Sequence, residues 1–117
     1  MNAVSLALAS GERSQPRYPG TERARIGLAD IYREQGQSAQ AWELLKAVQA
    51  DVLEGLPRQH PIRAQWLRTR GLLLAAESRK DEARAALTES LEDCRAMYGD
   101  QHWRTERAAR ELAALAQ

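Results

Sequence analysis

The two histidines are the residues of this chain with the most obvious capacity for chemistry. His102 lies in YGDQHWRTE, residues 98–106, with Asp100 and Glu106 near enough in sequence to help it ligate a metal ion or transfer a proton. A second Gln-His step occurs 42 positions earlier, at His60. If this spacing is the length of a structural repeat, the two rings lie at the edges of neighbouring repeats and do not meet in one site. We therefore expect each to begin a helix, its ring meeting backbone groups of the preceding loop.

No other constellation in the sequence suggests catalysis. There is no metal-ligand spacing and no Ser-His-Asp or Cys-His arrangement, so no catalytic residue, metal or cofactor is predicted and an enzyme is not expected. Cys94 is the only cysteine, which excludes a disulfide within one chain and favours a reducing cytoplasm. It falls on an apolar helix face, where a buried, inert thiol is expected.

The composition indicates one small all-α domain. The 117 residues are rich in Ala, Leu, Arg, Glu and Gln, which favour helices, and lack Phe. The net charge of +1 gives no global field that would attract nucleic acid, and no apolar stretch is long enough to span a membrane. Neither is predicted as a partner.

Helical periodicity appears in segments separated by short breakers. Helices are predicted over 21–35, 38–54, 61–76, 80–97 and 103–116, after a short apolar segment at 2–10 and a loop at 11–20. No strand is predicted. The inward faces are expected to carry Ala24, Leu28, Ile31 and Tyr32 in the first of these helices, Ala41, Leu44, Leu45, Val48 and Val52 in the second, Leu67, Leu73 and Leu74 in the third, and Ala83, Leu87, Leu91 and Cys94 in the fourth.

The 42-residue offset extends along the chain. It superposes Arg68 on Arg110, Ala41 on Ala83, Leu45 on Leu87, Asp51 on Asp93 and His60 on His102. Small residues recur at Ala29, Gly71 and Ala113, where two helices of a hairpin could approach closely. Repeated helical hairpins with short connections are therefore expected.

These residues resemble the tetratricopeptide repeat in its 42-residue form, found in kinesin light chains and bacterial signalling proteins. The matching stretches are ARIGLADIYREQGQSAQAWELLKAV, HPIRAQWLRTRGLLLAAESRKDEARAALTESL and GDQHWRTERAARELAAL. The resemblance implies an α-α superhelix, a solenoid of antiparallel hairpins, within a single domain over 1–117. Its about two and a half repeats would be 18–59, 60–101 and the first helix of a third at 102–117, with 2–10 as part of a preceding helix.

The resemblance also implies a concave groove, lined by the first helix of each hairpin, that binds a peptide or a helix of a partner. Carried onto this sequence, the lining comprises Arg23, Ile26, Gly27, Asp30, Arg33, Gln65, Arg68, Thr69, Leu72, Arg107, Arg110, Glu111 and Ala114. Its arginines favour an acidic segment or a C-terminal carboxylate. An equally weighted alternative is that they are solvated and partly neutralised by Asp30 and Glu111.

The remaining conspicuous residues are assigned structural roles. Trp66 and Trp103 are expected to cover the seam between repeats, and Trp42 to pack, although it is the best candidate for an exposed contact. The acidic pairs Asp81-Glu82 and Glu92-Asp93 are expected on solvated helix faces.

Together these features predict a non-catalytic protein–protein interaction module. The alternative is a regulatory or sensor segment of a bacterial signalling protein, attached to a kinase or transcription regulator and binding a small signal or a peptide. The last helix presents Leu112, Ala113 and Ala116 without a covering helix. We therefore expect either self-association through exposed terminal helices or a place within a longer array of repeats.

Overall fold

The described residues form an all-helical fold. The computed structural model describes residues 19–116, in which the helices are α1 (Pro19–Glu34), α2 (Ser38–Gly55), α3 (Pro61–Ala76), α4 (Lys80–Tyr98) and α5 (Trp103–Leu115). No strand occurs among these residues, which confirms the all-α part of the predicted fold class. The loop expected to reach residue 20 ends earlier, since α1 begins at Pro19. The predicted segment 2–10 lies outside the described residues.

Local signals place the helix ends close to where they were predicted. Gly36, with φ +78°, and Gly99, with φ +87°, follow α1 and α4 in a conformation that costs glycine little. Pro61 is the first residue of α3, where its missing N–H leaves no intrahelical bond unmade. The periodicity and these breakers therefore suffice to divide the chain.

The helices pack in pairs joined by short connections at 35–37 and 77–79. The contacts join α1 to α2 and α3 to α4, and α3 also touches both α1 and α2. On its other side α4 contacts α5. Helices in contact across so short a loop run antiparallel.

Small residues allow α3 and α4 to approach closely. Gly71 is buried, and a Cβ built on it would lie 2.7 Å from Leu87 Cγ and Cδ2 and 3.4 Å from the Ala83 carbonyl oxygen. Ala83 is fully buried on the opposing helix, as Ala29 and Ala41 are in the first pair. The predicted close-approach positions Ala29 and Gly71 are thus buried, whereas Ala113 is exposed because no helix covers that side of α5 in the described residues.

The apolar core joins the two hairpins. One continuous cluster comprises Ile26, Ala29, Ala41, Leu45, Val48, Val52, Ile62, Trp66, Leu67 and Leu73. The predicted inward residues of α2, α3 and α4 are buried, apart from the partly buried Leu44. Burial of such side chains, at about 25 cal/mol per Å² of apolar surface, is the main term that stabilises the fold.

The inward face of α1 differs from the prediction. Ala24 is exposed and Ile31 is 50% exposed, while Ile26 and Ala29 are fully buried. Tyr32 packs partly buried against the core as predicted. The buried stripe also includes two charged residues, Glu22 and Arg25, so most of the apolar pattern indicated the wrong side of the helix. The observed buried face of α1 lies roughly a quarter to a half turn around the helix axis from the predicted one.

A buried ion pair lies between α3 and α4. Arg63 Nη1 donates to Asp93 Oδ2 at 2.6 Å, and the side chains are 9% and 2% exposed. Arg63 Nη2 also donates to Glu89. Asp93 is therefore not on a solvated face as predicted, because an arginine thirty residues away in sequence compensates its burial.

Candidate functional site

The two histidines cap helices. His60 Nδ1 accepts a hydrogen bond from Ile62 N, and His102 Nδ1 accepts one from Arg104 N, each at 3.1 Å. Each bond satisfies one backbone N–H that a helix start leaves without an intrahelical partner. The predicted position at a helix start is confirmed, although each ring meets a backbone N–H of its own helix and not a group of the preceding loop. Between residues 19 and 116, no group of three or more His, Cys, Asp and Glu side chains is placed to hold a metal ion.

A pocket of about 190 Å³ opens where α3, α4 and α5 meet. Its floor is made of the small, buried residues Ala64, Ser90, Cys94 and Ala108. Gln65, Pro61, Tyr98 and Trp103 form walls, and four arginines surround it: Arg23, Arg68, Arg104 and Arg107. Among the described residues, none that lines the pocket is an aspartate or glutamate. We call this feature the arginine pocket.

The structure brings some of the predicted groove residues together here. Arg23, Gln65, Arg68 and Arg107 all line the arginine pocket. Arg110 is exposed on α5 and lies outside the lining, and Leu72 is half-buried, also outside it. The groove prediction thus converges on a smaller site between α3 and α5, to which α1 contributes Arg23.

Two predicted groove residues lie in the interior instead. Ile26 and Thr69 are both 0% exposed, so neither can contact a ligand in this conformation. Ile26 faces the core because of the rotation of α1 described above. Thr69 is one of the buried residues of α3.

Arg33 and Arg68 are already paired with carboxylates. Arg33 lies 2.8 Å from Asp30 one turn earlier on α1. Arg68 Nε donates to both carboxylate oxygens of Glu111 at 2.9 Å, and its Nη2 donates to Oε2 at 2.6 Å, which ties α3 to α5. For these two arginines the neutralisation by Asp30 and Glu111 is as the alternative expected, but their side chains are only 20% and 14% exposed and so are not solvated.

Arg107 is the cation of the pocket that lacks a carboxylate partner while partly buried. Its Nε is inaccessible to solvent and has no hydrogen-bond partner in the described part of the chain. Burial lowers the pKa of Arg107, and the nearby Arg68 cation lowers it further, whereas Glu111 acts in the opposite direction. An anion in the pocket would offset both the burial of the Arg107 charge and its repulsion by Arg68.

Arg23 and Arg104 add positive charge that no described carboxylate meets at ion-pair distance. Arg104 instead donates to Tyr98 Oη at 3.1 Å. Its guanidinium lies 5.0 Å from the Trp103 ring centroid, as does that of Arg107 on α5. The Trp103 ring is thus flanked by two arginines at the pocket wall.

Trp103, Tyr98, Arg104 and Cys94 are site residues that the sequence did not reveal. Trp103 was expected to cover a seam, yet it is 55% exposed because it starts α5 at the outer edge. The three-residue spacing of Arg104 and Arg107 places both on one helix face, and this was the signal available in the sequence.

Cys94 forms part of the pocket floor. It is 7% exposed, which confirms the predicted burial. Burial raises the pKa of its thiol; Arg107 opposes that shift, and Asp93 reinforces it. The group is therefore a protonated thiol at neutral pH, a small and polarisable part of the floor.

The other tryptophans are structural. Trp66 is 3% exposed and its Nε1 donates to the Leu45 carbonyl at 3.0 Å, bridging α3 and α2 as expected for a seam residue. Trp42 packs partly buried against the core, and its Nε1 donates to Glu77 at 2.7 Å. The packing roles assigned to both are confirmed.

No helix between residues 19 and 116 combines the length and apolarity that crossing a bilayer requires. Comparison of the chain with protein-family models, with curated proteins and with solved structures gave no match.

Proposed function

We propose that this chain is a non-catalytic protein-interaction module built as a short tetratricopeptide-like solenoid, and that the arginine pocket binds an acidic part of its partner. The 42-residue recurrence, the two hairpins and the histidine caps that begin α3 and α5 support the repeat assignment. The lone, buried cysteine is in keeping with a cytoplasmic setting.

The observation that carries the binding proposal is the unbalanced charge of the pocket. Arg23, Arg104 and Arg107 have no described carboxylate within ion-pair distance, and Arg107 is half-buried with an unpartnered Nε. A half-buried cation interacts with an anion more strongly than a solvated one, because the effective dielectric constant there is lower. A charge-assisted hydrogen bond to Arg107 should contribute about 1.5–3 kcal/mol.

The partner's acidic group should meet Arg107 before Arg68. Glu111 already accepts three hydrogen bonds from the Arg68 guanidinium, so that fork is occupied. Arg68 still contributes long-range attraction and holds α3 and α5 together. The arginines of the groove therefore have separate roles, with Arg107 as the direct contact.

A matched pair of variants tests the proposal. Fluorescein-labelled peptides of alternating Asp and Ser, and of alternating Asn and Ser, are titrated into the wild type, Arg107→Gln and Arg110→Gln, with anisotropy as the readout. We expect Asp-Ser binding to weaken by about tenfold or more in Arg107→Gln. Binding should change little in Arg110→Gln, which removes the same charge one turn away outside the pocket. Equal affinity for both peptides, or equal losses in both variants, would contradict the proposal.

The alternative is a regulatory or sensor segment that binds a small acidic signal. The volume of the pocket is the observation behind this candidate, because about 190 Å³ can hold a small organic acid as well as a side chain. Competition between free acetate, citrate or benzoate and the labelled Asp-Ser peptide separates the two. Displacement by a small acid with affinity above that of the peptide would favour the sensor role.

Self-association remains a separate proposal about α5. Ala113 and Ala116 are exposed and Leu112 is half-buried, so this face is available to a second copy. Sedimentation velocity over a concentration series of the full chain tests it. A species that stays monomeric throughout would contradict it.

A further inference from the structure

We propose that the arginine pocket receives the C-terminal aromatic residue of a partner polypeptide, its ring on the small-residue floor and its terminal carboxylate on Arg107. The inference rests on the proposed function of the same site and specifies which acidic group is bound.

The first argument is the size and lining of the floor. An engineered apolar cavity of about 150 Å³ holds one benzene molecule, and the arginine pocket has a volume of about 190 Å³. Ala64, Ala108 and Cys94 line its base and are at most 7% exposed. The Ser90 hydroxyl donates to the Ala64 carbonyl at 3.1 Å, so it presents no unmet donor to an apolar group. One ring therefore fits without displacing a polar partner.

The second argument is the chemistry of the walls. Trp103 and Tyr98 line the pocket, but their faces already have partners: Tyr98 stacks on His102 with centroids 4.5 Å apart, and two arginines lie 5.0 Å from the Trp103 centroid. A ligand ring can meet their edges, in the edge-to-face arrangement that aromatic rings favour. Cys94 adds a polarisable sulfur atom at the base, another favourable contact for a ring. An aliphatic acid would fill the same space but would lose these contacts.

The third argument is the position of the cation relative to the ring site. The Arg107 guanidinium lies 5.0 Å from the Trp103 ring centroid, so positive charge adjoins an aromatic wall. A matching ligand carries an anion next to a ring. Internal Phe and Trp residues have no charge, and Asp and Glu have no ring. At the C-terminus of a polypeptide, one aromatic residue supplies both groups.

Peptides that vary the ring and the charge independently test the inference. The probes are fluorescein-labelled Gly-Ser peptides that end in Phe or Ala, each with a free carboxylate or an amide, titrated into the full chain. We expect the Phe acid to bind about tenfold or more tightly than both the Ala acid and the Phe amide. The Ala amide should bind most weakly.

Variants assign each preference to its residue. Trp103→Ala should reduce the preference for Phe over Ala and retain the preference for acid over amide; its side chain is 55% exposed, so the fold should persist. Arg107→Gln should do the reverse, and Arg110→Gln should leave both unchanged. Circular dichroism melts verify that each variant is folded.

The possible results separate this inference from the proposed function. If the Phe and Ala acids bind equally and both exceed the amides, the inference is overturned while acidic recognition stands. If acids and amides bind equally, or none of the four peptides binds, both are overturned. If free phenylacetate competes with an affinity equal to that of the Phe acid, the inference that the ligand is the end of a polypeptide is overturned. The ligand would then be a small aromatic acid.

Discussion

Replacing Gly71 with alanine should test the closest helix approach in the fold. The new Cβ would lie 2.7 Å from two atoms of Leu87, a side chain that is 2% exposed and so has little room to move. Such overpacking costs about 1–3 kcal/mol. Alanine in a helix interior is favoured over glycine by about 0.5–1 kcal/mol. The expected net change in the free energy of unfolding is therefore a loss of up to about 2.5 kcal/mol.

Gly27 provides the matched control. It lies within α1, and, apart from its chain neighbours and the backbone of its own helix, no atom of the described residues lies within 4 Å of a Cβ built on it. Gly27→Ala should therefore stabilise the protein by about 0.5–1 kcal/mol. Urea unfolding followed by far-UV circular dichroism gives both values, and their difference, about 1–3 kcal/mol, isolates the packing cost. A second control combines Gly71→Ala with Leu87→Ala, which should cost less than the sum of the single changes. If Gly71→Ala stabilises as much as Gly27→Ala, the close-contact argument is wrong.

Other perturbations address the ion pair, the caps and the thiol. Asp93→Asn should lower the free energy of unfolding by about 3 kcal/mol in urea titrations, because it weakens the pairing of buried Arg63, whereas the exposed neighbour Glu92→Gln should change it by less than about 0.5 kcal/mol. His60→Ala should cost about 1 kcal/mol in thermal melts through loss of the α3 cap; no change would contradict the capping role. The raised pKa of Cys94 contributes stability that is present below the usual thiol pKa of 9.0 and is lost as pH rises from there through the folded value. Urea titrations at alkaline pH should show this decline, and Cys94→Ala should lack that component.

The sequence predicts helices well and the orientation of α1 poorly. In α2 and α4, the apolar residues form one stripe, so periodicity alone identifies the buried face. In α1, apolar residues occur on two sides, and the buried side carries Glu22 and Arg25. Which side faces inward depends on what α2 and α3 offer to those charged groups. A pattern read within one helix does not contain that information.

The candidate site shows the same limit. Arg23, Gln65, Arg68 and Arg107 were placed by the family register, and the structure brings them to one pocket. Which arginine is available to a ligand could not be predicted, because it depends on pairings between residues far apart in sequence. The Arg68–Glu111 fork joins residues 43 positions apart. The burial of Asp93 against Arg63 has the same origin.

The Arg68–Glu111 fork also sets the spacing between two walls of the pocket before any ligand arrives. Its three hydrogen bonds join α3 to α5, and the two side chains are only 14% and 17% exposed. A site held open in this way loses less conformational entropy on binding. Dissolved salt would screen the ligand's attraction to Arg107 but would leave this largely buried ion pair, and with it the shape of the site, mostly unchanged. Affinity should therefore fall with ionic strength no more steeply than one carboxylate contact requires.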